Sequence, residues 1–239
     1  MLSDEVLHEI ERLPQDWHGA GSLSADVLRA IVGYATRMNL TRTAETGTGK
    51  STLLFSHLSP HHKVFARDDT GDGDSLRQVQ GSALLNRSHV DFILGPTQQT
   101  LPQYTFSHLL QIVLIDGPHG YPFPELEYYY FYPQLDVNAL LIFDDIHIAT
   151  IRRLFEFLRE DEMFDFLEIV QTTAFLRRNH TPLFHPLQDG WWLQAYNKTR
   201  FPIGPAPARP TFSQTLRRWV PRPVKRLVRK IQGLSRARS

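Results

Sequence analysis

Apolar positions along the chain fall into two rhythms. SDEVLHEIERL from Ser3 and SADVLRAIVGYATRM from Ser24 repeat apolar residues at helical spacing, each behind a serine suited to cap the first turn. KVFARDD from Lys63, HVDFILG from His89, QIVLIDG from Gln111 and ALLIFDDI from Ala139 are instead short, near-continuous apolar runs. Strands covered on both faces of a parallel sheet have this appearance. Helical patterns lie between them in STLLFSHL, SLRQVQGSALL, ELEYYYFYPQL and IRRLFEFLREDEMF. FLEIVQTTAFLRR and WWLQAYN are predicted as two late strands, an antiparallel ending. With a further strand ending at Glu45, the expected fold is α/β: a Rossmann-like, doubly wound, mostly parallel seven-stranded sheet flanked by helices.

Charge divides the chain in a way the net value of +1 conceals. Residues 198–239 carry twelve Lys or Arg and no acid, which leaves 14 bases against 25 acids in the body, a balance of −11. An acidic body is poorly suited to gripping a nucleic-acid backbone, whereas the basic tail suits an anionic membrane or another polyanion. FPIGPAPARP, from Phe201, has linker composition. The expected organisation is therefore a domain over residues 1–200, its first 38 a helical extension, followed by a flexible linker and tail over 201–239. There is no Cys, which removes thiolate catalysis and Cys-based zinc sites, and no apolar run of membrane-spanning length. The expected location is cytoplasmic, at most peripheral to a membrane.

Candidate chemistry gathers where the apolar runs stop. Acids mark four of the expected strand ends: Glu45, Asp68 with Asp69, Asp116, and Asp144 with Asp145. In doubly wound sheets ligands sit at the carboxyl ends of the strands. AETGTGKSTLL, from Ala44, allows two readings. Ala44-x4-Gly49-Lys50-Ser51 fits a relaxed phosphate loop, with Asp144 available for Mg2+, which would make the chain an NTPase or kinase. Glu45-x-Gly47-x-Gly49 equally fits the glycine turn that holds a nucleoside without phosphate, and Asp68 and Asp69 follow about twenty residues later, the spacing of ribose-binding acids. A catalytically silent Rossmann-like module whose tail recruits a partner is the third possibility.

TAETGTGKSTLLFSHL, the acidic end of KVFARDD, and VLIDGPHGYPFPELEYYYFYPQL followed by ALLIFDDI together resemble the class I S-adenosylmethionine-dependent methyltransferases, in their small-molecule O-methyltransferase-like branch. The resemblance runs from about Leu23 to Asn197. It implies S-adenosylmethionine as cofactor and a small hydroxylated acceptor. Glu45, Gly47, Gly49 and Ser51 would line the cofactor's methionine and ribose portion, Asp68 or Asp69 would take the ribose hydroxyls, Thr97 and Gln98 would lie near the adenine, and Asp116 and His119 would face the transferred methyl. Ser51 replaces the usual third glycine, and Lys50 puts a cation near a sulfonium unless its side chain leaves along the helix into water.

The residues beside this frame weigh differently. An imidazole at His119, in a Pro-Gly loop three residues after Asp116, suits a general base, although capping the loop would also explain it. Asp116, Asp144 and Asp145 at adjacent strand ends would suit Mg2+, with capping and backbone hydrogen bonds as the plainer roles for the last two. His147 is expected as a core histidine, Trp17 and His18 as a lid or an anchor for the first helix, and EYYYFY as core and surface of one helix. Packing is expected of Trp191 and Trp192, with a homodimer interface as their alternative, and His61 and His62 are assigned no function.

Overall fold

A computed structural model describes residues 2–14, 22–67, 75–185, 187–190, 192 and 194–199. Trp17, His18, Asp68, Asp69, Trp191 and the linker and basic tail of 201–239 lie outside the described residues. The chain divides into Met1–Tyr196 and Asn197–Ser239.

The helices begin where the sequence caps them. In α1 (Asp4–Arg12) and α2 (Ala25–Ala35), Ser3 and Ser24 accept hydrogen bonds from the backbone N–H of Val6 and Val27. The Arg29 guanidinium then clips α2 to α1 by two 2.8 Å bonds to the Glu11 carboxylate, which holds that carboxyl below its usual range.

After α2 strand and helix alternate: β1 (Arg42–Thr46), α3 (Lys50–Leu58), β2 (His61–Ala66), α4 (Ser75–Gly81), β3 (Val90–Leu94), α5 (Thr97–Thr100), β4 (Leu110–Ile115), α6 (Phe123–Phe131), β5 (Leu135–Phe143) and α7 (Ala149–Arg159). β6 (Phe164–Val170) and β7 (Thr173–Arg178) complete a seven-stranded sheet of order β3-β2-β1-β4-β5-β7-β6, followed by the short α8 (Ala195–Thr199). The pairs among β1 to β5 are parallel, and β7 runs antiparallel to both β5 and β6.

The apolar runs are buried on both faces, as their lack of alternation implies. Val113, Ile115, Leu141 and Phe143 enter one core cluster, and their neighbours Ile112, Leu114, Leu140 and Ile142 enter the other.

Two expectations are corrected. FLEIVQTTAFLRR is not one strand but a hairpin that supplies both antiparallel strands, turning through Gln171, whose φ of 54° breaks the extended backbone. Among the described residues WWLQAYN supplies no strand, and its end is the helix α8. β5 also starts earlier than its apolar core, at Leu135, with Asn138 at φ 69° beside a register shift against β4.

What places the site is register. Thr46 pairs with Ile115, and Ile115 with Phe143, so β1, β4 and β5 end level and deliver Glu45, Asp116 and Asp144 to one rim. The sheet reverses its winding direction between β1 and β4, and the crevice outside such a switch point is where doubly wound folds hold ligands.

Candidate active site

Gly47 opens the turn after β1 at φ 86°, a left-handed conformation that glycine adopts without strain. Its N–H bonds the Phe65 carbonyl at 3.0 Å. A Cβ built on Gly47 would stand 2.3 Å from the Asp116 carbonyl oxygen, so this turn and the end of β4 approach as closely as backbone allows. Only glycine lets the two strand ends meet in this way.

Lys50 decides between the two readings of the loop. It is 3% exposed, and its Nζ donates at 2.6 Å to the carbonyl of Leu13, the residue that ends α1. A cation is favoured there by the partial negative charge of a helix C-terminus. The side chain does not leave into water; it is consumed as an anchor between α3 and α1, and burial lowers its pKa. A phosphate-loop lysine must be free to meet phosphoryl oxygens, and this one is not. Ser51 is buried in the first turn of α3.

On the rim, His119 Nε2 lies 3.5 Å from Asp116 Oδ1 and 3.5 Å from Asp145 Oδ2, while His147 Nδ1 lies 3.4 Å from Asp145 Oδ1. Donor atoms of Asp116, His119 and Asp145 all fall within 4.8 Å of one another. The adjoining Asp116 carboxylate chiefly raises the His119 pKa, with the Asp145 and Asp144 charges adding to it against desolvation. Desolvation, reinforced by Asp144 and Asp145 and opposed by His119, pushes the Asp116 carboxyl up to about 7. The Thr150 hydroxyl donates to the His119 carbonyl and so ties this loop to α7.

Asp144 stands apart from that group. Its Oδ1 accepts the Thr173 hydroxyl at 2.6 Å and the side chain is buried, whereas Asp145, at φ 55°, presents its carboxylate to both histidines. Asp144 does not cap the following helix either, since the cap position of α7 is Ile148. His147, expected in the core, is instead 58% exposed at the rim.

Thr97 and Gln98 begin α5, Thr97 buried and Gln98 exposed. Thr97 adjoins Glu127, a residue of EYYYFY that sequence reasoning did not place at the site. Glu127 is fully buried on α6 and accepts the Thr46 hydroxyl at 2.8 Å; Thr46 Oγ1 in turn accepts the Asp116 N–H at 3.1 Å. One carboxyl thus braces the loops after β1 and β4. A Cβ on Gly117 would meet its two oxygens at 2.5 and 2.8 Å. Desolvation raises the Glu127 pKa to about 7, opposed by the hydroxyls of Thr97 and Thr46 and aided by the Asp116 charge. The signal available was a carboxylate on an otherwise apolar helical stripe, Pro124, Glu127 and Phe131.

Residues 44–146 match a protein-family model described as a methyltransferase domain. No curated protein matches the chain significantly. Among solved structures, a Klebsiella pneumoniae protein assigned to the O-methyltransferases is 16% identical, with 75% of this chain and 92% of that one covered and a TM-score of 0.58. The O-methyltransferase TomG from Streptomyces achromogenes, solved in complex with SAM, is 14% identical, with 74% and 91% covered and a TM-score of 0.57. A Bacillus cereus O-methyltransferase in complex with SAH is 16% identical, with 75% and 93% covered and a TM-score of 0.53. At these identities the likeness establishes the fold, a Rossmann-like methyltransferase sheet with an antiparallel end. The domain match spans the glycine turn, the rim acids and β5. Among the described residues no helix is long and apolar enough to cross a membrane.

Proposed function

We propose that the chain transfers a methyl group from S-adenosylmethionine to a hydroxyl of a small molecule. The observation that carries this reading is the meeting, at the switch point, of a glycine cradle with no room for a Cβ and a histidine held between two carboxylates. The cradle fits the cofactor: bare backbone at Gly47, and a buried Glu45 whose Oε2 has no hydrogen-bond partner. When bound, the cofactor supplies an electrophilic methyl on a sulfonium, and the C–S bonding pair leaves with sulfur as the acceptor oxygen forms the new C–O bond.

The protein's own task is to align the acceptor and to take its proton. His119 takes that proton, and the Asp116 and Asp145 carboxylates beside its ring stabilise the resulting imidazolium. In this role His119 acts in its neutral form, so activity rises with pH through its raised pKa. Gly47, Gly49 and Ser51 line the cofactor in this reading, with Thr97 and Gln98 toward its adenine and Asp68 or Asp69 toward its ribose hydroxyls.

The rim group favours a second, narrower reading. A divalent cation, expected from sequence as Mg2+ on Asp116, Asp144 and Asp145, would be held here by Asp116, His119 and Asp145. A donor set with an imidazole suits Zn2+ or Fe2+ better than Mg2+. It would hold and acidify the acceptor hydroxyl. Calorimetric titration with each ion separates the cases, and no heat from any of them removes the metal.

Mass spectrometry of small molecules released from freshly purified protein tests the main reading, followed by transfer of labelled methyl to a panel of hydroxylated acceptors. Uptake of ATP with indifference to S-adenosylmethionine refutes it. The twelve bases of 198–239 carry the separate proposal of an anionic-surface contact, tested by liposome binding of the full chain against a truncation at Pro205. Sedimentation tests the proposed homodimer.

A further inference from the structure

β1 and β2 lie side by side with Thr43 opposite His62 and Glu45 opposite Val64. Thr43, Glu45 and His62 are each fully buried. A polar trio in the middle of a parallel sheet is costly unless each member is bonded. The bonds are present: His62 Nδ1 lies 2.8 Å from Thr43 Oγ1 and Nε2 lies 3.2 Å from Glu45 Oε1, while Phe55 packs on the ring at 5.0 Å.

The same Glu45 oxygen accepts the Thr52 hydroxyl, and Thr52 Oγ1 accepts the Gly49 N–H at 3.1 Å. Donor counting fixes the direction of this chain. A carboxylate only accepts, so Thr52 spends its one hydroxyl proton on Glu45 and its lone pair on Gly49. With Thr43 donating to Nδ1, Nε2–H is the donor to Glu45. The network therefore runs from the interior of β2 to the backbone amide of the glycine turn.

Two features separate this from an ordinary satisfied core histidine. Both internal bonds fall on Oε1, and Oε2 is left buried with no partner. Among the described residues, moreover, the basic side chain bonded to Glu45 is His62, while Lys50, next in sequence to the turn, is bound to Leu13. An unpartnered buried carboxylate oxygen at a ligand cradle calls for a donor from outside the protein. The methionine end of S-adenosylmethionine carries an ammonium that provides one.

We infer that His62 is a positioning residue for cofactor binding, whose Nε2–H holds the Glu45 carboxylate so that Oε2 is kept for the ammonium of the cofactor's amino-acid end. The inference rests on the S-adenosylmethionine reading above. His62 touches no ligand itself; it acts through Glu45.

The test is calorimetric titration of the full chain with S-adenosylhomocysteine, which keeps the ammonium, and with methylthioadenosine, which lacks the whole amino-acid end. His62→Leu is expected to weaken S-adenosylhomocysteine on the order of 10- to 100-fold, the range of a hydrogen bond to a charged group. Methylthioadenosine is expected to change less than about threefold. His62→Gln, which offers an amide N–H in place of Nε2–H, restores most of the loss. In a Glu45→Gln background His62→Leu has little further effect, because the group it positions is gone. Equal loss of both ligands, unchanged S-adenosylhomocysteine affinity, or a loss that persists without the Glu45 carboxylate overturns the inference. Should His62→Leu not fold, His62→Asn, too short to reach Glu45, takes its place in the same cycle. A wild-type chain that binds neither ligand refutes the cofactor reading itself, an outcome distinct from a wild type that binds and a variant that is indifferent.

Discussion

Glu127→Gln is the substitution through which the brace behind the site can be weighed. The carboxyl is fully buried and its pKa is raised from 4.5 to about 7, chiefly by desolvation. Between those two values the folded chain holds a proton that the unfolded chain has released. Stability from this group is therefore fully present below pH 4.5 and is lost as pH rises through about 7. A window of about 2.5 pH units at ~1.4 kcal/mol per unit gives roughly 3 kcal/mol. For a domain of this size that corresponds to roughly 6–12 °C in Tm. Gln keeps a carbonyl oxygen for the Thr46 hydroxyl but cannot ionise, so this part of the pH dependence disappears while the brace remains. The raised pKa values of Asp116, His119 and Asp144 act in the same direction and persist in both proteins, so only the difference between them is diagnostic. Urea denaturation of wild type and variant from pH 4.5 to 8.5 reads it directly, with the variant gaining on the wild type as pH rises. Parallel curves would show that Glu127 is not protonated in the folded protein near neutral pH and would sink the argument.

The other predictions concern single contacts. Gly47→Ala forces a side chain to within 2.3 Å of the Asp116 carbonyl at a positive φ; it is expected to cost about 1–3 kcal/mol from the backbone conformation alone and to abolish S-adenosylhomocysteine binding by calorimetry. Lys50→Met keeps the apolar stem but removes the bond to Leu13, with an expected loss of about 1.5–3 kcal/mol in denaturation and S-adenosylmethionine affinity within about threefold of wild type; loss of that ligand with stability intact would show that Lys50 serves the ligand and not the α1 contact. His119→Ala is expected to lower methyl transfer about 10²- to 10⁴-fold without weakening S-adenosylhomocysteine. In the wild type, the acidic limb of the rate profile is expected above pH 6.5, the ordinary histidine value, and a limb below it would exclude His119 as the base.

The framework of this site is written locally, and its interior is not. Apolar runs halted by acids located the ends of β4 and β5 because a strand buried on both faces needs unbroken apolar sequence and stops where a charge must reach water, whereas β1, RTAET, was located by the glycine turn behind it. The same logic brought Asp116 and His119 together, since three residues of loop cannot carry them far apart. What the sequence could not show depends on contacts between distant segments. Lys50 meets Leu13 only because α1 packs on α3, His62 meets Glu45 only through the register of β1 on β2, and Glu127 meets Thr46 across 81 residues. The hairpin of β6 and β7 was missed for a different reason: a single polar turn at Gln171 and Thr172 is too slight an interruption to separate two strands by composition.

Asp144 and Asp145 are chemically identical neighbours, yet one is spent inside on Thr173 and the other faces the histidines. The left-handed backbone at Asp145 is what parts them. A single inverted residue thus converts a doublet of acids into an inward strut and an outward tool, and it makes their order matter. Exchange of either for asparagine removes a different function, although a reader of the letters alone would count the two changes as one.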